Sequence, residues 1–346
     1  MSAAANRPSV PTVLPVAIAG MGAHLPPRVV TNDDLTKVLD TSDEWIRTRT
    51  GIRERHIADP EIATSDLAVE AGKAALTEAG LGIEDVGAVI VATASPDHMI
   101  PGTAPLVSAA LGTEVAAFDV NAACSGFIYG LRVGGGMVAT GSGPVLVIGA
   151  ETLSRVVDPT DRSTAVLFGD GAGAAVLVPD ASARLGPFDL GADGSDPSML
   201  YSPAGGTRRP VSQEVLDERA HYLVMRGGDV YRNAVARMSA SAKAVLDAAE
   251  LNIDDVDLFV GHQANLRILD AVAQRLNIAP ERSHLTVDRH GNTSAASVPM
   301  ALVDARDHGR LTPGDTVLVA AFGAGLTWGA CLLTWNPAGS VPEGQA

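Results

Sequence analysis

Sulfur and lysine are scarce in this chain: 346 residues hold two cysteines, Cys124 and Cys331, and three lysines, Lys37, Lys73 and Lys243. Two cysteines cannot build a disulfide framework, so the expected setting is reducing and cytoplasmic. Positive charge is short overall, with 25 Lys plus Arg against 40 Asp plus Glu and a formal net charge of −15. Such a chain is a poor general partner for nucleic acid, whose phosphates are held by basic surface. An anionic ligand would need a local basic patch. Long apolar runs are missing as well. "VLPVAIAG" near the start is too short to cross a bilayer and follows no charged leader, so no membrane partner and no signal peptide are expected.

What is present describes an ordinary globular protein, 46% hydrophobic and 19% charged, long enough for one large or two medium domains. Apolar β-like runs alternate with Ala-rich helical stretches, the pattern of an α/β fold. "GAVIVAT" (87–93), "VLVIGAE" (145–151), "AAVLVP" (174–179), "DLFVGH" (257–262), "TVLVAAFG" (316–323) and "GACLLTW" (329–335) predict short strands buried on both faces. Helical spacing marks 64–80 and 229–250. Residues 191–213, rich in Gly, Pro, Ser and Arg, read as a linker or mobile loop. The expected division is a flexible tail over 1–13, a first half over 14–190, the linker, a second half over 214–336, and a tail over 337–346.

The two halves repeat. "LGIEDVGAVIV" (81–91) aligns without a gap on "LNIDDVDLFVG" (251–261), and "FGDGAGAAVLV" (168–178) resembles "FGAGLTWGACLL" (322–333). At nearly the first offset, Cys124 in "DVNAACSGF" pairs with Asn292 in "DRHGNTSAASVP". Each sits at a strand-to-helix junction among small residues. A pseudo-twofold axis would bring these two junctions together and aim Asn292 at Cys124.

A cysteine at a helix start meets unpaired N–H groups and the positive end of the dipole, which favours the thiolate nucleophile. A nucleophilic thiolate calls for a histidine and a further polar group. Among eight histidines, His262 is distinctive because it ends the apolar strand "DLFVGH", where α/β folds commonly line their sites. Cys331 lies inside an apolar strand and reads as core.

Together "DVNAACSGF", "GHQANLRI" and "DRHGNTSAASVP" closely resemble the β-ketoacyl-acyl carrier protein synthase III family of the thiolase-like superfamily. "TSDEWIRTRTGIRERHI", "DPTDRSTAVLFGDGAGAAVL" and "AFGAGLTWG" extend the resemblance from about residue 14 to 335. It implies a duplicated five-layered α-β-α-β-α fold, a homodimer, and a catalytic triad of Cys124, His262 and Asn292. The implied reaction transfers an acyl group from acyl-CoA to Cys124 and condenses it with malonyl-acyl carrier protein, with loss of CO2. It needs no cofactor beyond the CoA thioester substrate and no metal. Backbone N–H groups of Cys124 and Ala324 would hold the acyl oxyanion.

By the same resemblance Trp45 and Arg162 would sandwich the CoA adenine, Arg49 would meet its phosphates, and Tyr231 and Asn265 would line the pantetheine tunnel. Arg232, Arg267 and Arg275 would form the basic patch that an acidic carrier protein requires. Ile100 falls where family members often carry Phe, at the end of the acyl pocket and contributed by the partner subunit. The shorter Ile predicts a deeper pocket and tolerance of propionyl, butyryl or branched starters. A thiolase would need a second cysteine where this chain has Ala321, and a chalcone-synthase-like enzyme a proline in the turn that here reads "FGAG". A synthase III-like priming ketosynthase or acyltransferase of a polyketide pathway is the nearer alternative. A binding protein that merely kept the fold is disfavoured by the intact Cys, His and Asn.

Overall fold

The computed structural model describes residues 13–336, so the expected tails over 1–13 and 337–346 lie, apart from Val13, outside the described residues. The apolar runs form strands where the sequence places them. In chain order these are β1 (Val16–His24), β2 (Val29–Thr31), β3 (Glu54–His56), β4 (Ala88–Ala92), β5 (Ala116–Val120), β6 (Val145–Thr152) and β7 (Asp170–Pro179). They continue with β8 (Leu185–Ala192), β9 (Leu200–Tyr201), β10 (Val224–Met225), β11 (Leu258–Gly261), β12 (Thr316–Gly323) and β13 (Thr327–Thr334). The longer helices are α1 (Asp43–Thr50), α2 (Thr64–Ala79), α3 (Thr103–Leu111), α4 (Gly126–Ala139), α5 (Gly227–Ala249), α6 (Leu266–Leu276) and α7 (Ser297–Asp307).

Two sheets carry the fold, one ordered β1-β7-β6-β4-β5 and the other β8-β13-β12-β11. In each, the middle strands are buried along most of their length, as their Val, Leu, Ile and Ala content requires. Helices α2 and α3 cover the outer face of the first sheet, with Leu67, Ala71 and Val107 on Val89, Leu146 and Val176. Helices α5 and α6 cover the outer face of the second, with Met238 and Leu269 beside Phe259 and Leu318. Between the sheets lie α4 and α7, whose Phe127, Leu131, Val298 and Leu302 join Val147 and Val319 in the central core. Each aliphatic side chain fully buried there contributes about 1.5–3 kcal/mol. The result is the five layers α-β-α-β-α that the resemblance implies.

The strand orders map β1, β7, β6 and β4 onto β8, β13, β12 and β11. The fifth strand, β5, is answered in the second half only by an isolated parallel bridge between Phe259 and Ser283. Each half turns into its central helix through a residue of positive φ, Ala123 (46°) in one and Ser294 (48°) in the other. The following helices begin at Gly126 and Ser297. Both pairs differ by 171 (294 less 123, 297 less 126), which corrects the repeat register. Asn292 is the counterpart of Asn121, and Cys124 that of Ala295. The two asparagines do one local job: Oδ1 of Asn121 accepts from the Ala123 N–H (3.3 Å) and Oδ1 of Asn292 from the Ser294 N–H (2.9 Å). Cys124 and Asn292 are therefore not two copies of one position.

The second sequence match also shifts. Pairing of Thr152 with Asp170 and of Gly323 with Thr327 makes Asp170 and Thr327 equivalent, three residues away from the match drawn on Phe168 and Phe322. The true counterpart of Phe322 is Glu151. Segment 191–213 is more structured than its composition suggests: β8 runs to Ala192, and β9 within it pairs antiparallel with β10. Because β8 belongs to the second sheet, the second half begins ahead of this segment.

Candidate active site

Cys124 sits in a single 3-10 turn, Ala123–Ser125, that leads directly into α4. It is 9% exposed, at the bottom of a cavity of about 520 Å³. His262 follows the last residue of β11 and is held by its N–H on the Ala320 carbonyl (2.8 Å). Asn292 is fixed by the first half, donating its N–H to the Leu167 carbonyl (2.9 Å) and accepting from the Gly169 N–H (3.0 Å). All three side chains line the same cavity, so the two halves meet at one chemical site.

Burial sets the protonation of the pair. It pushes the Cys124 thiol up to about 12, against the lowering expected from a helix start, because desolvation of the thiolate outweighs the favourable dipole. Burial also lowers His262 to about 3, so its ring is neutral. Nδ1 of His262 lies 2.6 Å from the Ser297 hydroxyl. That hydroxyl also accepts the Gln263 N–H at 3.3 Å. When the Ser297 hydroxyl donates to Nδ1, the neutral ring carries its proton on Nε2 and can act as a donor. Ser297 went unread in the sequence although it stands in the quoted "NTSAASVP".

The end of β12 approaches Cys124 closely. A Cβ built on Gly323 would lie 2.6 Å from the Cys124 backbone N, so only glycine fits. Positive φ in the turn that follows falls on Gly325 (132°) and not on Ala324, so alanine carries no strain there. Gly323→Ala is expected to cost about 1–3 kcal/mol from overpacking. It should also slow acylation of Cys124 roughly 10²-fold by displacing the turn. A melting curve and single-turnover CoA release check this, and wild-type acylation would show that the two backbones do not touch.

Toward the mouth, Trp45, Arg49, Tyr231, Asn265, Arg232 and Arg267 line the cavity. Arg162 does not line it but stacks on Trp45 at 4.9 Å, with its Nη1 on the Asp40 carbonyl (2.7 Å). An adenine between these two groups would have to part them. Asn265 is committed to structure as the N-cap of α6: Oδ1 accepts the Arg267 N–H (2.9 Å) and Nδ2 reaches the Arg49 carbonyl (3.1 Å). Arg267 stacks on Tyr231 at 5.7 Å, and exposed Arg232 pairs with Asp229. Arg275 stands in the last turn of α6, about 12 Å along the helix from Arg267 and off the cavity wall. Ile100 is 91% exposed and does not reach the cavity of its own chain; Met99 beside it is 75% exposed. Cys331 is fully buried in the central core, as expected.

A doubled α/β architecture with a cysteine on the first-half junction and histidine and asparagine from the second is that of the thiolase-like condensing enzymes. The model for 3-oxoacyl-[acyl-carrier-protein] synthase III matches residues 118–194, and the model for its C-terminal part matches 246–335. The chain is 49% identical to the beta-ketoacyl-[acyl-carrier-protein] synthase III of Symbiobacterium thermophilum, over 94% of this chain and 99% of the relative. It is 51% identical to beta-ketoacyl-[acyl-carrier-protein] synthase III 3 of Streptomyces coelicolor, over 92% and 96%. The crystal structure of 3-oxoacyl-[acyl-carrier-protein] synthase III from Aquifex aeolicus superposes with a TM-score of 0.86 at 43% identity, over 92% of this chain and 100% of that one. The chain belongs to the β-ketoacyl-acyl carrier protein synthase III family.

Proposed function

We propose that the protein condenses a short-chain acyl-CoA with malonyl-acyl carrier protein, releasing CoA and CO2 and forming 3-oxoacyl-acyl carrier protein by way of an acyl-Cys124 intermediate. The observation that carries this reading is one buried cavity holding a thiol, a neutral imidazole with an Nε2 donor, and a carboxamide. Cys124 attacks the acyl-CoA carbonyl, and the oxyanion sits against the backbone N–H groups of Cys124 and Ala324. CoA leaves. Malonyl-acyl carrier protein then loses CO2, and negative charge builds on its thioester oxygen. Nε2–H of His262 and Nδ2 of Asn292 donate to that oxygen without changing charge. The resulting carbanion attacks the acyl-Cys124 carbonyl and frees the thiol.

Trp45, Arg49 and Arg162 are assigned to the CoA nucleotide, with Arg162 swinging off the indole face to admit the adenine. Tyr231 and Asn265 flank the pantetheine arm. Arg232 and Arg267 at the mouth, with Arg275 beyond them, make the basic patch for an acidic carrier protein. The protein works as a homodimer in a cytoplasmic setting; among the described residues no helix is long and apolar enough to cross a membrane. Reading the product by mass from acyl-CoA panels with malonyl-acyl carrier protein tests the whole proposal. A β-ketoacyl product supports it; an acylated small acceptor with no CO2 released would sink it. A priming role is less well supported, since the chain is 34% identical to the priming β-ketosynthase of the R1128 polyketide pathway against 49–51% to the synthase III relatives.

Starter breadth is the second expectation. The partner's copy of this loop would bring Ile100 to the end of the acyl pocket, and its exposure beside Met99 leaves it available for that contact. Ile is shorter than the Phe that family members often carry there. Acetyl-CoA and isobutyryl-CoA should then differ by less than about a hundredfold in kcat/KM, one methylene being worth only about 1–3 kcal/mol in such a pocket. A hundredfold preference for acetyl-CoA would contradict the role given to Ile100.

A further inference from the structure

His262 and Asn292 are assigned to one oxygen of the malonyl thioester, yet they hang from separate segments of the chain. Their spacing needs a fastening. Gln263, the residue after His262, is polar, 1% exposed, and does not line the cavity. Its carboxamide is used at both ends. Nε2 donates to the Gly261 carbonyl at 2.8 Å and to the His284 carbonyl at 3.2 Å. Oε1 accepts the Thr286 N–H at 2.8 Å and the Val287 N–H at 3.2 Å. Two donor hydrogens and a carbonyl oxygen with two lone pairs fill those four roles, which a carboxylate or an apolar side chain cannot do.

The four partners divide between two segments. Gly261 ends β11, directly before His262. His284, Thr286 and Val287 belong to the stretch that leads to Asn292. Val287–His290 is a single helical turn, closed by the Gly291 N–H on the Val287 carbonyl (3.1 Å), and Asn292 comes next. The first N–H groups of a helix find no partner within it. Here the Thr286 side chain does not cap them, and Oε1 of Gln263 takes the Val287 N–H instead. The backbone of Asn292 bonds to Leu167 and Gly169, which places it against the first half; Gln263 places it against β11.

His262 is mounted differently. Its N–H meets the Ala320 carbonyl and its ring meets Ser297, and the Gln263 carboxamide takes part in neither bond. Only the backbone N–H of Gln263 reaches Ser297. Replacing the Gln263 side chain therefore leaves the supports of His262 and removes the tie to Asn292.

We infer that Gln263 is a positioning residue for the second half-reaction, its carboxamide setting Asn292 in register with His262. This rests on the condensation reading above. Charge that builds on one oxygen needs both donors within reach at once, and a displacement of about 1 Å is worth about 10²-fold in rate. Acylation of Cys124 makes no such demand, since on the proposed mechanism its oxyanion faces backbone N–H groups.

Gln263→Met keeps the length of the side chain and removes all of its hydrogen bonds. Gln263→Glu keeps an acceptor for Thr286 and Val287 and, when ionised, loses the donors for Gly261 and His284. Each variant is assayed for malonyl-acyl carrier protein decarboxylation without acyl-CoA, and for single-turnover acylation by labelled isobutyryl-CoA. Decarboxylation by Gln263→Met should fall roughly 10²-fold, with acylation within threefold of wild type. Added to Asn292→Asp, Gln263→Met should cost less than about threefold more, because the donor it positions is already gone. Decarboxylation within threefold of wild type in Gln263→Met overturns the inference. Equal losses in both half-reactions overturn it too, as does a fully multiplicative loss in the double variant, since either marks a scaffold role. Should Gln263→Met fail to fold, Gln263→Glu decides by the same split and the same pairing. A wild type that takes up no label or releases no CO2 would instead refute the condensation reading.

Discussion

Cys124→Ala should take up no acyl label from isobutyryl-CoA and lose condensation by roughly 10⁴-fold or more, as enzymes do when a covalent nucleophile is removed. The fold should survive. Cys124 is held in place by backbone geometry, the 3-10 turn Ala123–Ser125 and the approach of Gly323, and none of this depends on the sulfur. Alanine at the floor of an existing cavity removes one atom that touches open space on one side, so melting should shift little. Decarboxylation of malonyl-acyl carrier protein should persist, because the donors proposed for it, Nε2 of His262 and Nδ2 of Asn292, hang from other elements: β11 and the bridge to Phe168. Mass spectrometry of the intact protein after incubation reads the first expectation, and CO2 release the second. Acyl label on the variant would show that another residue is the nucleophile. With Cys331 fully buried in the central core, no second thiol stands ready to take the role.

How much of this the sequence carried depends on the kind of signal. Strands buried on both faces are unbroken apolar runs, so β4, β6, β11 and β12 could be read within a residue or two. Strand β5 could not, because it edges its sheet with Ala116 and Phe118 exposed and only part of its length apolar. Strand β8, "LGPFDLGA", is interrupted by glycine, proline and aspartate and merges into a segment whose composition suggests a loop. The duplication was visible, but its register at the junctions was not. Small residues resemble one another at several offsets, whereas backbone angles at Ala123 and Ser294 admit one. Cys124, His262 and Asn292 stood out because a rare thiol, a histidine and an asparagine each broke a run of small or apolar residues. Glu151 broke one too, closing "VLVIGAE", yet a charge at a strand end is ordinarily taken for the surface. Only its complete burial and its shell of donors mark it as interior. Asn265 shows the converse: a polar residue assigned to the tunnel whose amide is already spent on capping α6.

Asn292→Asp is the sharpest probe of the second half-reaction. In the native site Oδ1 of Asn292 accepts the Ser294 N–H at 2.9 Å, so the carboxamide is oriented with Nδ2 as the free donor. Alanine would remove that donor but also release Ser294, confusing two effects. Aspartate keeps the volume and the acceptor for Ser294, and so keeps the turn of positive φ in place. What it loses is the N–H toward the malonyl thioester oxygen, and what it adds is a carboxylate facing the developing enolate. Loss of one oxyanion donor costs about 10²–10³-fold, and a like charge in a buried site adds to it. Decarboxylation should therefore fall by at least that range. On the proposed mechanism the acyl oxyanion sits against the backbone N–H groups of Cys124 and Ala324, so acyl transfer from acyl-CoA to Cys124 should fall by less than about tenfold. Measuring CO2 release and CoA release on the same preparation gives both numbers. Equal losses would mean that Asn292 serves the shape of the cavity and not the enolate, and the decarboxylation would have to rely on His262 alone.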